Sequence, residues 1–589
     1  MGLFSKKEYY EMSEKQFKEM KKFYKKLGYG DKQVKKLCSA CFGAEIRSSE
    51  KTSYHNNWEF YRNVSGFDGI SAAFGGSKKG RGMAKMASGM SAPSGMPVDG
   101  GAVLMEDMCM CEPAMPAPMP AMPAAPVPEF NTAKTHVAPE IEEAAPLDRP
   151  QMIFSANVNT ASWSYLRSRI LMNKPIDSSF IRIEELVNSY HYKLKKAKDD
   201  DLFSVGIEHG KCPWNDDAEL MFLGLRGKKA DKKVKQNLAF LVDVSGSMEN
   251  RWILVQMSMM SIISKLGEGD RISIIAYSDN TVTVTKQMDC GSADKCIEEV
   301  MKIDGIGGCT NGSEGLTNAY KFLEENYDEA ANNRVFIFTD GDFNFGITEE
   351  GGLAGFIKKK RETGIFLSVV RYGMNNFKDD NMEALARNGN GNYTFVANPA
   401  DIMDNLHDKL ISNLVTVAKD VKISVELNPH FVKKYRLIGY DSRVLTQQEF
   451  HDTGKATDGI GSDHNVAALI EFTRGEAEQT YSTRYVNSES SGNTDEFAFI
   501  EIHYKNAEGE NLVMTKTVGI DEFNETGEKN LPVASLLAAF GLTVKNSEYK
   551  GKADKALLSS LLSELTDDED DDEKDNFGHF AVIKKYIGT

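Results

Sequence analysis

The feature that most constrains this chain is the stretch Asn237 to Met248, NLAFLVDVSGSM. From Asn237 to Val242 it is almost wholly apolar, without the alternation of a half-wet strand, so it reads as a central strand covered on both faces. The polar cluster begins where that strand should end. In open α/β sheets, ligands sit in the crevice beyond the carboxyl ends of the strands, and Asp243, Ser245 and Ser247 fall there. The following sequence supplies the covering layers. Helical patterns at Ile253–Leu266, Ala293–Ile303, Leu316–Tyr327 and Leu353–Thr363 alternate with apolar strands at Arg271–Tyr277, Arg334–Phe338 and Ile365–Val370. MEALARNGNGNYTFV then predicts a helix, a turn and a strand, before a long helix from Pro399. Such alternation implies an α/β fold, a doubly wound and mostly parallel sheet with helices on both faces.

A DxSxS pattern offers one carboxylate and two hydroxyls, hard oxygen donors that suit Mg²⁺, with Mn²⁺ or Ca²⁺ as alternatives, rather than zinc. One loop cannot complete an octahedron. Two later loops offer further ligands: Thr310 in GIGGCTNGSEG, and Asp340 in RVFIFTDGD, which again directly follows an apolar strand. Helix capping is the competing use for Ser245, Ser247 and Thr310. It leaves Asp243 and Asp340, two acids at strand ends, without a role.

At 589 residues the chain should divide into roughly three to five units. A formal charge of −16 argues against nucleic acid or an anionic membrane as the main partner, since both need clustered cations. No run of about 18 apolar residues marks a transmembrane helix, and MGLFSKKEYYEMSEK lacks the apolar core of a secretory signal, so a cytoplasmic location is expected. Eight cysteines without repeating spacing suggest free thiols, and the lone CxxC at Cys38 and Cys41 has no second pair to close a zinc site.

Residues 1–68 read as a small helical region, with an amphipathic basic helix over Ser13–Leu27. Residues 69–147 shift to Gly, Met, Ala and Pro and read as a flexible linker, in which Met105, Met108, Cys109, Met110 and Cys111 are sulfur-rich low-complexity sequence. Two helical patterns separated by Pro175, then strands Leu202–Ile207 and Glu219–Leu225, are expected in 148–233. The metal-site domain takes 234–418. After it, VKISVEL, Ala467–Phe472, FAFIEIHY and LVMTKTV alternate as half-buried strands. This β-rich part, 419–525, is expected to pair with strands of 202–230 in one sandwich, making the metal-site domain an insertion. A helical region, 526–589, closes the chain around the acidic run DDEDDDEKD, which lacks the spaced ligands of a calcium loop.

In DVSGSM, GIGGCTNGSEG and TDGD the chain resembles the von Willebrand factor type A domain, whose metal-ion-dependent adhesion site carries these motifs in this order. The resemblance extends to bacterial proteins of the YfbK type. It is carried by Asn157–Arg167, Arg182–Tyr190, CPWN at 212–215, TDGDFNFG, KRETGIFLS, NGNGNYTF, AKDVKISVELNP and YRLIGYDSR. Asn157 stands where those relatives have aspartate, and RYGMNN and IGSDHNV also depart from them. The resemblance implies a Rossmann-like domain in which Ser245, Ser247 and Thr310 touch Mg²⁺ directly and Asp243 and Asp340 act through water. It further implies a non-enzymatic protein-binding function, with an Asp or Glu carboxylate of a protein partner taking the open coordination position.

Two other readings stay open. A haloacid-dehalogenase-like phosphatase also places an aspartate at a strand end beside Mg²⁺, but it needs a second aspartate two positions on as general acid, where this chain has Ser245. A scaffold with a vestigial metal site is the other.

Overall fold

The computed structural model describes residues 139–589, except 147, 157–158, 199–200, 231–233, 279–280, 304–311, 342–351, 374–378, 403, 407–413, 456, 476–494, 507–508, 525–529 and 567–577. The expected N-terminal helical region with its CxxC, the linker through 138, the sulfur-rich segment, Asn157, Thr310 and the acidic run lie outside the described residues.

Three parts build the described chain. Before the central α/β domain come β1 (Gln151–Ser155), α1 (Ala161–Leu171), α2 (Ile183–Val187), β2 (Phe203–Lys211) and β3 (Glu219–Gly227). The domain itself contains β4 (Lys235–Asp243), α3 (Trp252–Ile263), β5 (Arg271–Tyr277), β6 (Thr281–Asp289), α4 (Ala293–Met301) and α5 (Gly312–Glu325). It continues with β7 (Ala331–Thr339), α6 (Gly352–Glu362), β8 (Ile365–Tyr372), α7 (Asp379–Asn388) and β9 (Tyr393–Val396). Strands β10 (Thr416–Leu427), β11 (Val432–Ile438), β12 (Ile460–Gly461), β13 (Asn465–Arg474), β14 (Glu496–Lys505) and β15 (Asn511–Gly519) follow, then α8 (Asn530–Lys545), α9 (Lys555–Thr566) and α10 (His579–Ile587).

The middle domain is a six-stranded sheet in the order β6-β5-β4-β7-β8-β9. All neighbours are parallel except β5 and β6. Phe240 of β4 stands opposite Ile274 on one side and Phe336 on the other. Both faces are covered, as the unbroken apolar run requires. Leu238, Phe240 and Val242 pack with α3 and α4, while Ala239 and Leu241 pack with α5. Gly315 lets α5 lie close on the sheet, since a Cβ there would come within 2.8 Å of the Leu241 side chain. From β4 the chain first builds outward through β5 and β6, then returns to place β7 on the opposite side of β4. The topological switch point therefore lies between the ends of β4 and β7, where Asp243 and Asp340 stand.

The outer strands form two antiparallel sheets, β1-β10-β14-β15 with β12 beside β10, and β11-β13-β3-β2. Their facing sides share one core, including Phe154, Leu223, Leu225, Ile423, Val425, Ala468 and Ile470. Strand β3 precedes the α/β domain and pairs with β13 beyond it, Leu223 opposite Ala468, so that domain is an insertion in a sandwich. The other face of β3, Leu220 and Phe222, packs under α1, α2, α8, α9 and α10.

Several local expectations give way to tertiary structure. The sequence reading of 148–233 places no strand ahead of its two helical patterns, but Gln151–Ser155 is a sandwich strand antiparallel to β10, Gln151 opposite Glu426. The chain is fixed earlier than the expected linker end at 147: Ala144 bridges Tyr435, and Glu140 pairs with Lys545 at 3.0 Å. Strands β6 and β11 were not foreseen. The helix expected from Pro399 starts as an α-helix over Pro399–Asp401 and widens to a π-helix at 402 and 404–406, where Arg167 holds Asp401 and Asp404 in an ion-pair cluster. Thr160 Oγ1 donates to Asn405 Oδ1 at 2.9 Å and Asn405 Nδ2 to Ser164 Oγ at 3.0 Å. The signature around α1 thus clasps the end of the inserted domain. CPWN is also structural, since Asn215 Nδ2 and Trp214 Nε1 donate to the buried Glu471 at 2.9 and 3.4 Å.

Candidate metal centre

Asp243 is the last residue of β4 and is fully buried. Its Oδ1 accepts from the Ser245 backbone N–H at 2.9 Å, and its Oδ2 from Thr339 Oγ1 at 3.0 Å and Tyr277 Oη at 3.4 Å. Burial raises the carboxyl above its ordinary value and the nearby Asp340 charge adds to this, while bonds from Ser245 and Thr339 oppose it. Tyr277 is pushed well up by burial and by the charge of Asp243, so it stays a neutral donor. A carboxylate kept desolvated beside a second one is a site that a cation stabilises.

Ser245 leads into a tight turn, Gly246–Arg251, yet its side chain makes no capping bond. Its hydroxyl lies 3.1 Å from that of Ser247. Ser245 is buried and Ser247 is exposed, so the hydroxyl pair runs from the interior to the surface. The capping use is thereby excluded for Ser245.

Asp340 follows β7 and is buried. Its Oδ2 accepts from Arg251 Nη1 at 2.7 Å, whereas Oδ1 is buried with no hydrogen-bond partner among the described residues. A buried carboxylate oxygen without a donor is costly and marks a place for an ion or its water. Asp243, Ser245, Ser247 and Asp340 all stand on the β4 and β7 ends at the switch point; Thr310 lies outside the described residues. Among the described residues no three His, Cys, Asp or Glu side chains cluster as metal ligands. The donor set here is instead two carboxylates and two hydroxyls, which fits a hard oxygen-seeking cation such as Mg²⁺.

Sequence reasoning passed over four residues of this site. Thr339 supports Asp243 and also accepts from the Gly341 N–H at 3.3 Å. Its signal was its place directly before Asp340. Tyr277 was legible as the end of the neighbouring parallel strand, in register with Asp243. Arg251 and the fully buried Arg371, which lies against Gly341, carried no local signal.

This geometry can be set beside known proteins. The YfbK protein of Escherichia coli (strain K12) is 30% identical over 415 residues, spanning 68% of this chain and 72% of that protein. The chain belongs to the YfbK-like family of von Willebrand factor type A proteins. Within this family member, residues 237–409 match the von Willebrand factor type A domain, 412–585 the YfbK C-terminal family, and 131–222 a family described as von Willebrand factor. A more distant relative is inter-alpha-trypsin inhibitor heavy chain H3 of Mesocricetus auratus, 24% identical over 27% of this chain and 19% of that protein. Among solved structures, a von Willebrand factor type A protein from Catenulispora acidiphila is 12% identical, covering 62% of this chain and 88% of that one at a TM-score of 0.37. The ArnB paralog VWA2 from Sulfolobus acidocaldarius is 14% identical over 66% and 97%, at a TM-score of 0.31. No helix among the described residues of this YfbK-like protein is long and apolar enough to cross a membrane.

Proposed function

We propose that this YfbK-like protein is a Mg²⁺-dependent protein-binding module, in which Asp243, Ser245, Ser247, Thr310 and Asp340 hold the ion and a partner's Asp or Glu carboxylate completes its coordination. The observation that carries this reading is the buried Asp340 Oδ1 without a donor among the described residues, close to a desolvated Asp243. Mg²⁺ keeps exchangeable waters, so a carboxylate can replace one without dismantling the site. The ion supplies a positive charge for that carboxylate, and no bond in the partner need be broken. The phosphatase alternative lacks its acid, since the buried Ser245 occupies that position.

Isothermal titration of Mg²⁺ and Mn²⁺ into the chelator-treated full chain, wild type beside Asp243→Asn, tests the reading. One ion bound by wild type and none by the variant is expected, with both folded by circular dichroism. Wild type that takes up no ion at millimolar concentration overturns it in favour of a scaffold.

A further inference from the structure

The guanidinium of Arg251 stands within the site without being one of its expected ligands. It ends the Gly246–Arg251 turn, and its Nη1 donates to Asp340 Oδ2 at 2.7 Å and to the Ser247 carbonyl at 2.5 Å. Its other side lies on Gly373, just past β8. A Cβ built there would come within 2.1 Å of Arg251 Nε, and Gly373 has φ +83°. No other residue type fits that position while the arginine stays, so one guanidinium joins the serine turn, the Asp340 loop and the exit of β8.

This placement divides the work of Asp340. Oδ2 is taken by the guanidinium, and Oδ1 remains buried and without a donor among the described residues. It also sets the charge of the site. Asp243 and Asp340 contribute two negative charges, Arg251 one positive and the buried Arg371 behind Gly341 another, so a divalent ion leaves the loaded site net positive rather than neutral. A fixed positive charge beside a bound cation weakens the cation's hold by Coulomb repulsion and strengthens that of an incoming anion. Both effects are large where water is partly excluded, and the Arg251 side chain is only 17% exposed.

We infer that Arg251 is a positioning residue that occupies Asp340 Oδ2, leaves Oδ1 for the ion and adds a positive charge to the loaded site, exchanging metal affinity for affinity toward a carboxylate. The inference rests on the metal reading above and adds to it a reason why the site selects an anionic partner group. It also separates charge from structure. A residue acting only as a clamp supports ion and carboxylate binding together, whereas a charge-setting residue moves them in opposite directions.

The test uses the full chain as wild type, Arg251→Gln, Arg251→Met and Arg251→Lys, each checked for folding by circular dichroism. Mn²⁺ affinity is measured by titration, and acetate is then added to the Mn²⁺-loaded protein while water-proton relaxation reports displacement of metal-bound water. In the neutral variants Mn²⁺ should bind roughly tenfold more tightly, and the acetate midpoint should rise by about the same factor, as expected for removal of one nearby charge. Arg251→Lys, which keeps the charge, should lie near wild type in both. Should Arg251→Met fail to fold, Arg251→Gln carries the same comparison. Loss of ion and acetate binding together, or no change in either, overturns the inference while leaving the metal reading intact. Wild type that binds no Mn²⁺ overturns both.

Discussion

Glu383 of α7 is where the inserted domain is fastened to its host, and replacing it by glutamine tests how that junction is held. The buried carboxylate accepts from Arg443 of the sandwich, from Arg182 of the N-terminal segment at 2.8 Å, and from Arg387 one turn along its own helix at 3.0 Å. Arg443 also lies 3.1 Å from Asp458. Burial alone would raise the Glu383 carboxyl, but Arg443, Arg182 and Arg387 together outweigh it and hold it at about 2, against an ordinary 4.5. Because the folded value is depressed, the stabilisation is complete above about pH 4.5 and is lost as pH falls through about 2. A shift of this size corresponds to about 3 kcal/mol at pH 7 and about 1.5 kcal/mol at pH 3. Glutamine mimics the protonated carboxyl in shape while leaving the buried Arg443 and the half-buried Arg182 and Arg387 short of charge, a loss of the same order as breaking a buried pair. Urea unfolding followed by tryptophan fluorescence is a suitable assay, since Trp163 and Trp214 are buried in the neighbouring helical cluster. Glu383→Gln should be less stable than wild type by about 3 kcal/mol at pH 7, with roughly half that gap left at pH 3. A gap below about 1 kcal/mol at pH 7, or one unchanged between the two pH values, would refute the reasoning.

Two further outcomes follow from the same physics. Glu184 is pushed up to about 7, first by burial and then by Glu185 and Asp441. Its raised value contributes stability below about pH 4.5 that is lost as pH rises through 7, so Glu184→Gln should flatten the decline in urea midpoint over that interval and be the more stable protein at pH 8. At Gly341, with φ +101°, an added Cβ would come within 2.7 Å of Arg371 Nε. Gly341→Ala should therefore cost roughly 1–3 kcal/mol and reduce the Mg²⁺-dependent rise in melting temperature by moving Asp340; an unaltered rise would show that the loop tolerates the strain.

The centre of the fold was legible because a strand covered on both faces carries its environment in its own residues. Nothing in the outer parts of the chain is so local. Gln151–Ser155 reads equally well as the lead into a helix, and it becomes a strand because β10, some 270 residues on, offers a free edge. The helix expected from Pro399 changes from α to π where Arg167, 234 residues away, engages Asp401. TVTVTKQMD alternates as a strand does, but the edge position of β6 leaves it the least apolar strand of its sheet, with no buried face to mark it.

The site divides in the same way. Asp243, Ser245, Ser247 and Asp340 could be named from the sequence because oxygen donors at the end of an apolar strand have no packing use there. Their supports could not. Tyr277 reaches Asp243 through strand register, Thr339 through the neighbouring β7, and Arg251 reaches Asp340 across 89 positions. By itself the sequence determined the central strand, the alternating layers and the oxygen donors at the strand ends, since each follows from side chains within a few residues of one another. Only the tertiary structure decided which side of β4 receives β7, and thereby which acids meet and which arginine pairs with Asp340. Strand order and buried charge pairs depend on distances between segments remote in the chain, and no local pattern encodes those distances.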